Sequence, residues 1–170
     1  MFLLVLLINL EELYLSGNSY DKIELNMPAY ESLRLLQLTE NKFEDWSCIL
    51  KIDKVFPKLC TLILAHNKIS TCGKLLQKLF ERSVEDNETA FRHLQVLNMN
   101  NTFISEWDEL GKLSVIKSVA DIRLHSIPLV QVLYCSSKPS GRFLCLKGLN
   151  GNENSDGNSC YRKSFLNTAN

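Results

Sequence analysis

The sequence predicts an α/β solenoid, with a curved parallel sheet and helices on its convex side. Three observations predict it. The pattern Leu-x-x-Leu-x-Leu-x-x-Asn occurs as LEELYLSGN (Leu10 to Asn18), LRLLQLTEN (Leu33 to Asn41) and LCTLILAHN (Leu59 to Asn67). A fourth copy, LQVLNMNNT (Leu94 to Thr102), ends on threonine, and a fifth, VADIRLHSI (Val119 to Ile127), keeps only the apolar frame. Starts at 10, 33, 59, 94 and 119 are spaced by 23, 26, 35 and 25 residues, the period of leucine-rich repeats with one insertion. Two tryptophan-led strings, NKFEDWSCILKI (Asn41 to Ile52) and TFISEWDELGKL (Thr102 to Leu113), complete the pattern.

Each element follows from side-chain spacing. In Leu13-x-Leu15 or Leu62-x-Leu64, alternation sends both leucines to one face of a short strand. One such unit has too little apolar surface to close a core, so neighbouring units must stack. The chain then turns sharply and leaves backbone N–H and C=O groups inside the turn. Asn18, Asn41 and Asn67 are placed to satisfy them.

After the turn, two units return through a helix. Trp46, Ile49, Ile52, Val55 and Phe56 form one apolar stripe, and Trp107, Leu110, Leu113 and Ile116 form another. Each tryptophan is expected to open its helix and pack against the strands. Asp45 or Glu44 can cap the first helix, and Ser105 with Asp108 reads as a capping box for the second. Pro57 ends the first helix.

The long third unit reads as a helix over 73–82 followed by a polar, acidic insertion over 83–90. Residues 1–133 form about five repeats, 134–151 a C-terminal cap, and 152–170 a polar tail with the composition of a disordered segment. The opening MFLLVLLI is too short to span a bilayer and lacks the basic start and small-residue cleavage site of a signal peptide. It reads as a buried strand. No capping segment precedes Leu10, as expected of part of a longer product.

Composition narrows the function classes. The formal net charge of the 170 residues is zero, and no basic cluster marks a nucleic-acid or anionic-membrane footprint. The six cysteines, at 48, 60, 72, 135, 145 and 160, form no CxxC pair, so neither a zinc site nor another metal or cofactor is expected. Reduced thiols in a cytosolic protein are the simpler reading. A secreted fragment would instead carry disulfides and glycan at the Asn87 sequon, with a second sequon at Asn100.

No GxSxG, HExxH, Walker A or GxGxxG motif occurs, and no cysteine has a base partner visible in sequence. His66 and His125 fall at corresponding turn positions of different repeats, as repetition alone would place them. Catalysis is therefore not expected.

A binding face is. By alternation the residues pointing away from the core include Tyr14, Leu35, Gln37, Thr61, Ile63, Val96, Asn98 and Arg123, with Ala65 and His125 further along. Leu35, Ile63 and Val96 are expected side by side, an exposed aliphatic line rimmed by polar groups that fits a protein guest.

The block ESLRLLQLTENKFEDWSCILKIDKVFPKLCTLILAHNKI, the later FRHLQVLNMNNTFISEWDELGKL, IRLHSIPLVQ and the closing LKGLNG resemble the leucine-rich repeat region of the tubulin-specific chaperone cofactor E and E-like family. The resemblance covers residues 10 to about 151. It implies a cytoplasmic, cytoskeleton-associated, non-enzymatic monomer that binds tubulin, α-tubulin in particular. Its role would be to regulate heterodimer stability and microtubule assembly. The family's ubiquitin-like and glycine-rich domains have no counterpart here. The competing reading is another intracellular leucine-rich-repeat scaffold or adaptor.

Overall fold

The structure is a computed structural model that describes residues 9–22, 28–74, 90–129 and 161–162. Several expectations lie outside these residues: the strand over 1–8, most of the helix over 73–82, nearly all of the 83–90 insertion with Asn87, and the cap over 134–151. So do Cys135, Cys145, Cys160 and most of the 152–170 tail.

Five three-residue strands run parallel in chain order: β1 (Glu12–Tyr14), β2 (Leu35–Gln37), β3 (Thr61–Ile63), β4 (Val96–Asn98) and β5 (Asp121–Arg123). A sixth, β6 (Tyr161–Arg162), lies antiparallel to β5 and comes from within the expected tail. Helix α1 (Trp46–Val55) joins β2 to β3; α2 (Trp107–Lys112), extended by a 3-10 turn over Leu113–Val115, joins β4 to β5. The described residues are thus α/β, with a five-strand parallel sheet and few helices.

Register follows the leucines. Leu13, Leu36, Leu62, Leu97 and Ile122 are mutual partners across the sheet. Leu15, Leu38, Leu64 and Met99 form a second rung, since their amides donate to Gln37, Ile63, Asn98 and Arg123 carbonyls respectively. Leu36, Leu62, Leu97, Leu38, Leu64 and Met99 are buried, while Leu13, Leu15 and Ile122 at the two ends are half-buried. The core is continuous because each strand hides one face of its neighbour's leucines.

The turns after the strands share one conformation. Gly17, Glu40, His66, Asn101 and Ser126 all have positive φ, between 54° and 69°. They occupy the same offset from the central strand residue, where the chain must reverse direction. His66 therefore corresponds to Ser126 and Asn101, not to His125. His125 sits one step earlier, in register with Asn100, whose following residue Asn101 donates its amide to His125 O. The expected equivalence of the two histidines is off by one residue, because strand register sets turn position.

Helix α1 matches its stripe: Trp46, Ile49, Leu50, Ile52 and Val55 are buried, and the Asp45 carboxylate caps it by accepting from Ser47 N. Phe56 closes it, donating its amide to Ile52 O ahead of Pro57. The second return differs. Its N-cap is Glu106, without a side-chain cap bond, so Ser105 and Asp108 form no capping box. Glu109 in the first turn reaches instead to the neighbouring turn at Thr71 and Cys72. Trp107 is half-buried, and the buried side chains come later, from Leu113, Val115 and Ile116. Gly111 is a poor helix former, and the regular helix ends directly after it.

Candidate functional site

Alternation places one side chain of every strand's first and third residue on the face opposite the core. Two rows result. The first runs Glu12, Leu35, Thr61, Val96, Asp121, and the second Tyr14, Gln37, Ile63, Asn98, Arg123. Adjacent members of a row lie about 4.8 Å apart, the spacing of strands. All eight residues expected on this face are on it.

Their arrangement differs from the expected line. Leu35 and Val96 share the first row with Thr61 between them, whereas Ile63 belongs to the second, between Gln37 and Asn98. The three aliphatic side chains form a triangle around Thr61. They are half-buried and not fully exposed, because side chains in the adjacent strands shield one another. Ala65, expected to face outward beyond β3, is buried at 7% exposure. Its side chain is too short to emerge from the bend that follows the strand.

Both ends of the face are charged, and each carboxylate accepts a hydrogen bond at i, i+2, from a neutral phenol at one end and from a guanidinium at the other. The Tyr14 hydroxyl donates to Glu12 Oε2 at 2.6 Å, and this bond holds the phenol pKa above its ordinary value. Arg123 Nε donates to Asp121 Oδ2 at 3.1 Å. Between these ends, Asn98 Oδ1 accepts from Asn100 N at 3.0 Å, and Asn100 Oδ1 accepts from His125 N at 2.8 Å. These amides brace the turns. The face is therefore aliphatic and amide-rich at its centre, with an Asp121–Arg123 ion pair at one rim and a hydrogen-bonded Glu12 carboxylate at the other.

The asparagine turns support this face from beneath. Asn41 Nδ2 donates to Leu15 O at 2.9 Å and Leu38 O at 3.0 Å, while its Oδ1 accepts from Tyr20 N at 2.9 Å. Asn67 repeats the set one unit on, with Leu38 O at 2.8 Å, Leu64 O at 3.0 Å and Phe43 N at 3.1 Å. Asn18 is exposed, and its Nδ2 donates to Ser16 O within its own turn. Thr102, at the same offset in the fourth unit, donates its hydroxyl to Met99 O at 2.9 Å.

A polar cluster lies where β3's return segment meets α2. The Glu109 carboxylate accepts from Cys72 N at 2.6 Å, Thr71 Oγ1 at 3.1 Å and Lys112 Nζ at 2.6 Å. Burial works to raise the Glu109 pKa, but these donors outweigh it and hold the carboxyl below its ordinary value. Burial, with the Glu109 charge adding to it, pushes the Cys72 thiol up to about 12. A thiol so held is protonated at neutral pH and is no nucleophile. Cys48, Cys60 and Cys72 are free. Among the described residues no group of three or more His, Cys, Asp or Glu could hold a metal ion, and no helix is long and apolar enough to cross a membrane.

Sequence reasoning did not single out the exposed aromatics Tyr20 (42% exposed) and Phe103 (54%). Tyr20 stands at the offset where the next unit has the buried Phe43. The signal for it was its position at the end of the array, where that site has no earlier unit beside it among the described residues.

No protein-family profile matches the chain. It is 30% identical over 123 residues to the tubulin-specific chaperone cofactor E-like protein of Homo sapiens, covering 72% of this chain and 27% of that protein. The Rattus norvegicus protein of the same name is 29% identical over the same shares. The tubulin-folding cofactor E of Arabidopsis thaliana is 28% identical over 147 residues, 86% of this chain and 24% of the relative. The chain thus spans about a quarter of the length of the curated relatives it matches. The resemblance carried by the repeat motifs is borne out: over most of its length, this chain is a homologue of the tubulin-specific chaperone cofactor E-like and tubulin-folding cofactor E proteins.

Proposed function

We propose that this chain is a leucine-rich-repeat solenoid that binds tubulin, α-tubulin in particular, through the two side-chain rows on the open face of its sheet. It acts as a non-enzymatic, monomeric module in the cytosol, associated with the cytoskeleton, and regulates heterodimer stability and microtubule assembly. One observation carries the reading. A homologue of tubulin-named proteins sets five parallel strands in register, so ten side chains form one continuous surface. An aliphatic centre of Leu35, Ile63 and Val96 within polar rims has the make-up of a protein interface.

The test is capture of purified tubulin by the immobilised full chain. Leu35→Asp with Ile63→Asp is expected to abolish capture while circular dichroism and the melting transition persist. Capture that survives both substitutions removes this face from the proposal. A folded chain that captures no tubulin at all returns the reading to a leucine-rich-repeat adaptor for another protein.

A further inference from the structure

We infer that the β4–β5 corner of the open face binds a carboxylate side chain, an aspartate or glutamate of the protein guest, between Asn98 and Arg123. This rests on the reading of that face as a protein-binding surface, and adds what the guest must carry.

The hydrogen bonds fix which way the asparagines at this corner point. Asn98 Oδ1 accepts from Asn100 N at 3.0 Å, and Asn100 Oδ1 accepts from His125 N at 2.8 Å. A backbone N–H can only donate, so the oxygen of each side-chain amide must be the atom turned towards the backbone. The NH2 group is the end left over. Neither NH2 makes a further bond among the described residues, and the one buried side-chain atom without a partner there is Trp46 Nε1. Both NH2 groups therefore reach solvent as donors.

Arg123 supplies a second donor beside the first. It is the partner of Asn98 across β4 and β5, so the two side chains stand about 4.8 Å apart on the same face. Its Nε donates to Asp121 Oδ2 at 3.1 Å, which leaves the two Nη groups of a side chain that is 46% exposed.

Two adjacent donors select a carboxylate. Its two coplanar oxygens can accept one bond each, from Asn98 Nδ2 and from an Arg123 Nη. A guest amide offers one acceptor and one NH2, and that NH2 would meet a donor. Asp121 already offsets the Arg123 charge, so a dianionic phosphate would face a net repulsion that a single carboxylate feels less.

The opposite corner has the reverse polarity. The one hydroxyl hydrogen of Tyr14 is spent on Glu12 Oε2 at 2.6 Å, so those two side chains present acceptors alone. Donors over β4 and β5, acceptors over β1 and the aliphatic triangle between them give the guest a single orientation. Its carboxylate lies one to two strand spacings, about 5–10 Å, from the apolar group seated on Leu35, Ile63 and Val96.

The test is a titration of the isotope-labelled full chain with N-acetylglutamate α-amide, beside N-acetylglutamine α-amide and inorganic phosphate. The Asn98 side-chain NH2 and the Arg123 guanidinium resonances are expected to shift with the glutamate compound alone, with Kd on the order of 10 mM. Asn98→Asp keeps an oxygen for Asn100 N and puts a second oxygen where the NH2 stood. It should weaken binding about tenfold or more and leave a cooperative melting transition. Arg123→Gln, at an exposed side chain, should weaken it similarly. Shifts that are absent, that glutamine reproduces, that only phosphate elicits or that survive either substitution overturn the proposal. The shifts without capture of tubulin would uphold this corner and remove tubulin as the guest; capture without the shifts would remove the corner alone.

Discussion

Asn67 ties two strands together: its Nδ2 donates to Leu38 O of the preceding unit at 2.8 Å, while its Oδ1 accepts from Phe43 N at 3.1 Å. The side chain is fully buried, so no water replaces these bonds if it is lost. Truncation would strand a buried amide and at least two carbonyls, each unsatisfied group costing about 1–3 kcal/mol. Asn67→Ala is expected to lower the unfolding free energy by about 3 kcal/mol or more in urea titration. Asn18→Ala, at the exposed equivalent position, should stay within about 0.5 kcal/mol of the parent.

Thr102 occupies the same offset with a shorter side chain and makes the bond to Met99 O. An asparagine there could also donate back to Leu64 O and accept from Ile69 N, as Asn67 does with Leu38 and Phe43. Thr102→Asn is expected to stabilise the chain by about 1 kcal/mol, the worth of an added hydrogen bond. A fall in the urea midpoint would show that the turn after β4 cannot accommodate the amide.

Glu109 links the Thr71–Cys72 turn to Lys112 of α2, and its folded pKa lies below the ordinary value of 4.5. A depressed carboxylate contributes stability that is present above the unfolded pKa and lost as pH falls through the lower, folded one. Glu109→Gln should cost about 2 kcal/mol at pH 7, the scale of hydrogen bonds to a charged group. The difference from the parent should shrink below pH 4.5 and vanish once both states of Glu109 are protonated. Melting curves from pH 7 down through this window check the sign.

Trp46 is fully buried, yet its Nε1 finds no acceptor among the described residues. Stripping the indole N–H of water without a partner costs about 1–3 kcal/mol, which offsets part of what the ring contributes by burial. Trp46→Phe is therefore expected to change stability by less than about 1 kcal/mol, because the smaller ring loses area and the orphaned donor together. Trp46→Ala, which opens a cavity, should cost about 3–5 kcal/mol. Equal losses in both variants would contradict this account.

The strands were legible because one local rule, alternation at period two, was enforced by burial in every unit: Leu36, Leu62 and Leu97 could face only inward. Asp45 as a cap and the stripe from Trp46 to Val55 were legible for the same reason, since spacing alone decides them. What escaped were relations between units. Whether Ile63 stands beside Leu35 or beside Gln37 depends on register across strands, which only the backbone ladder sets. Ser105 looked like a cap because its neighbours in sequence allow it. Glu109 instead finds donors at Thr71 and Cys72, far away in sequence. Tyr20 carries no local mark of exposure; its neighbours across the array decide it.

The self-matched pairs Glu12–Tyr14 and Asp121–Arg123 bear on kinetics. With Asp121 and Arg123 offsetting each other and the Glu12 carboxylate held by a neutral phenol, a surface on a chain of zero net charge exerts little pull beyond contact range. A guest must find it by unsteered diffusion and rotational search, at roughly 10⁵–10⁶ M⁻¹s⁻¹. Raising the ionic strength should leave that encounter rate almost unaltered, and selectivity must then reside in how slowly the matched guest departs.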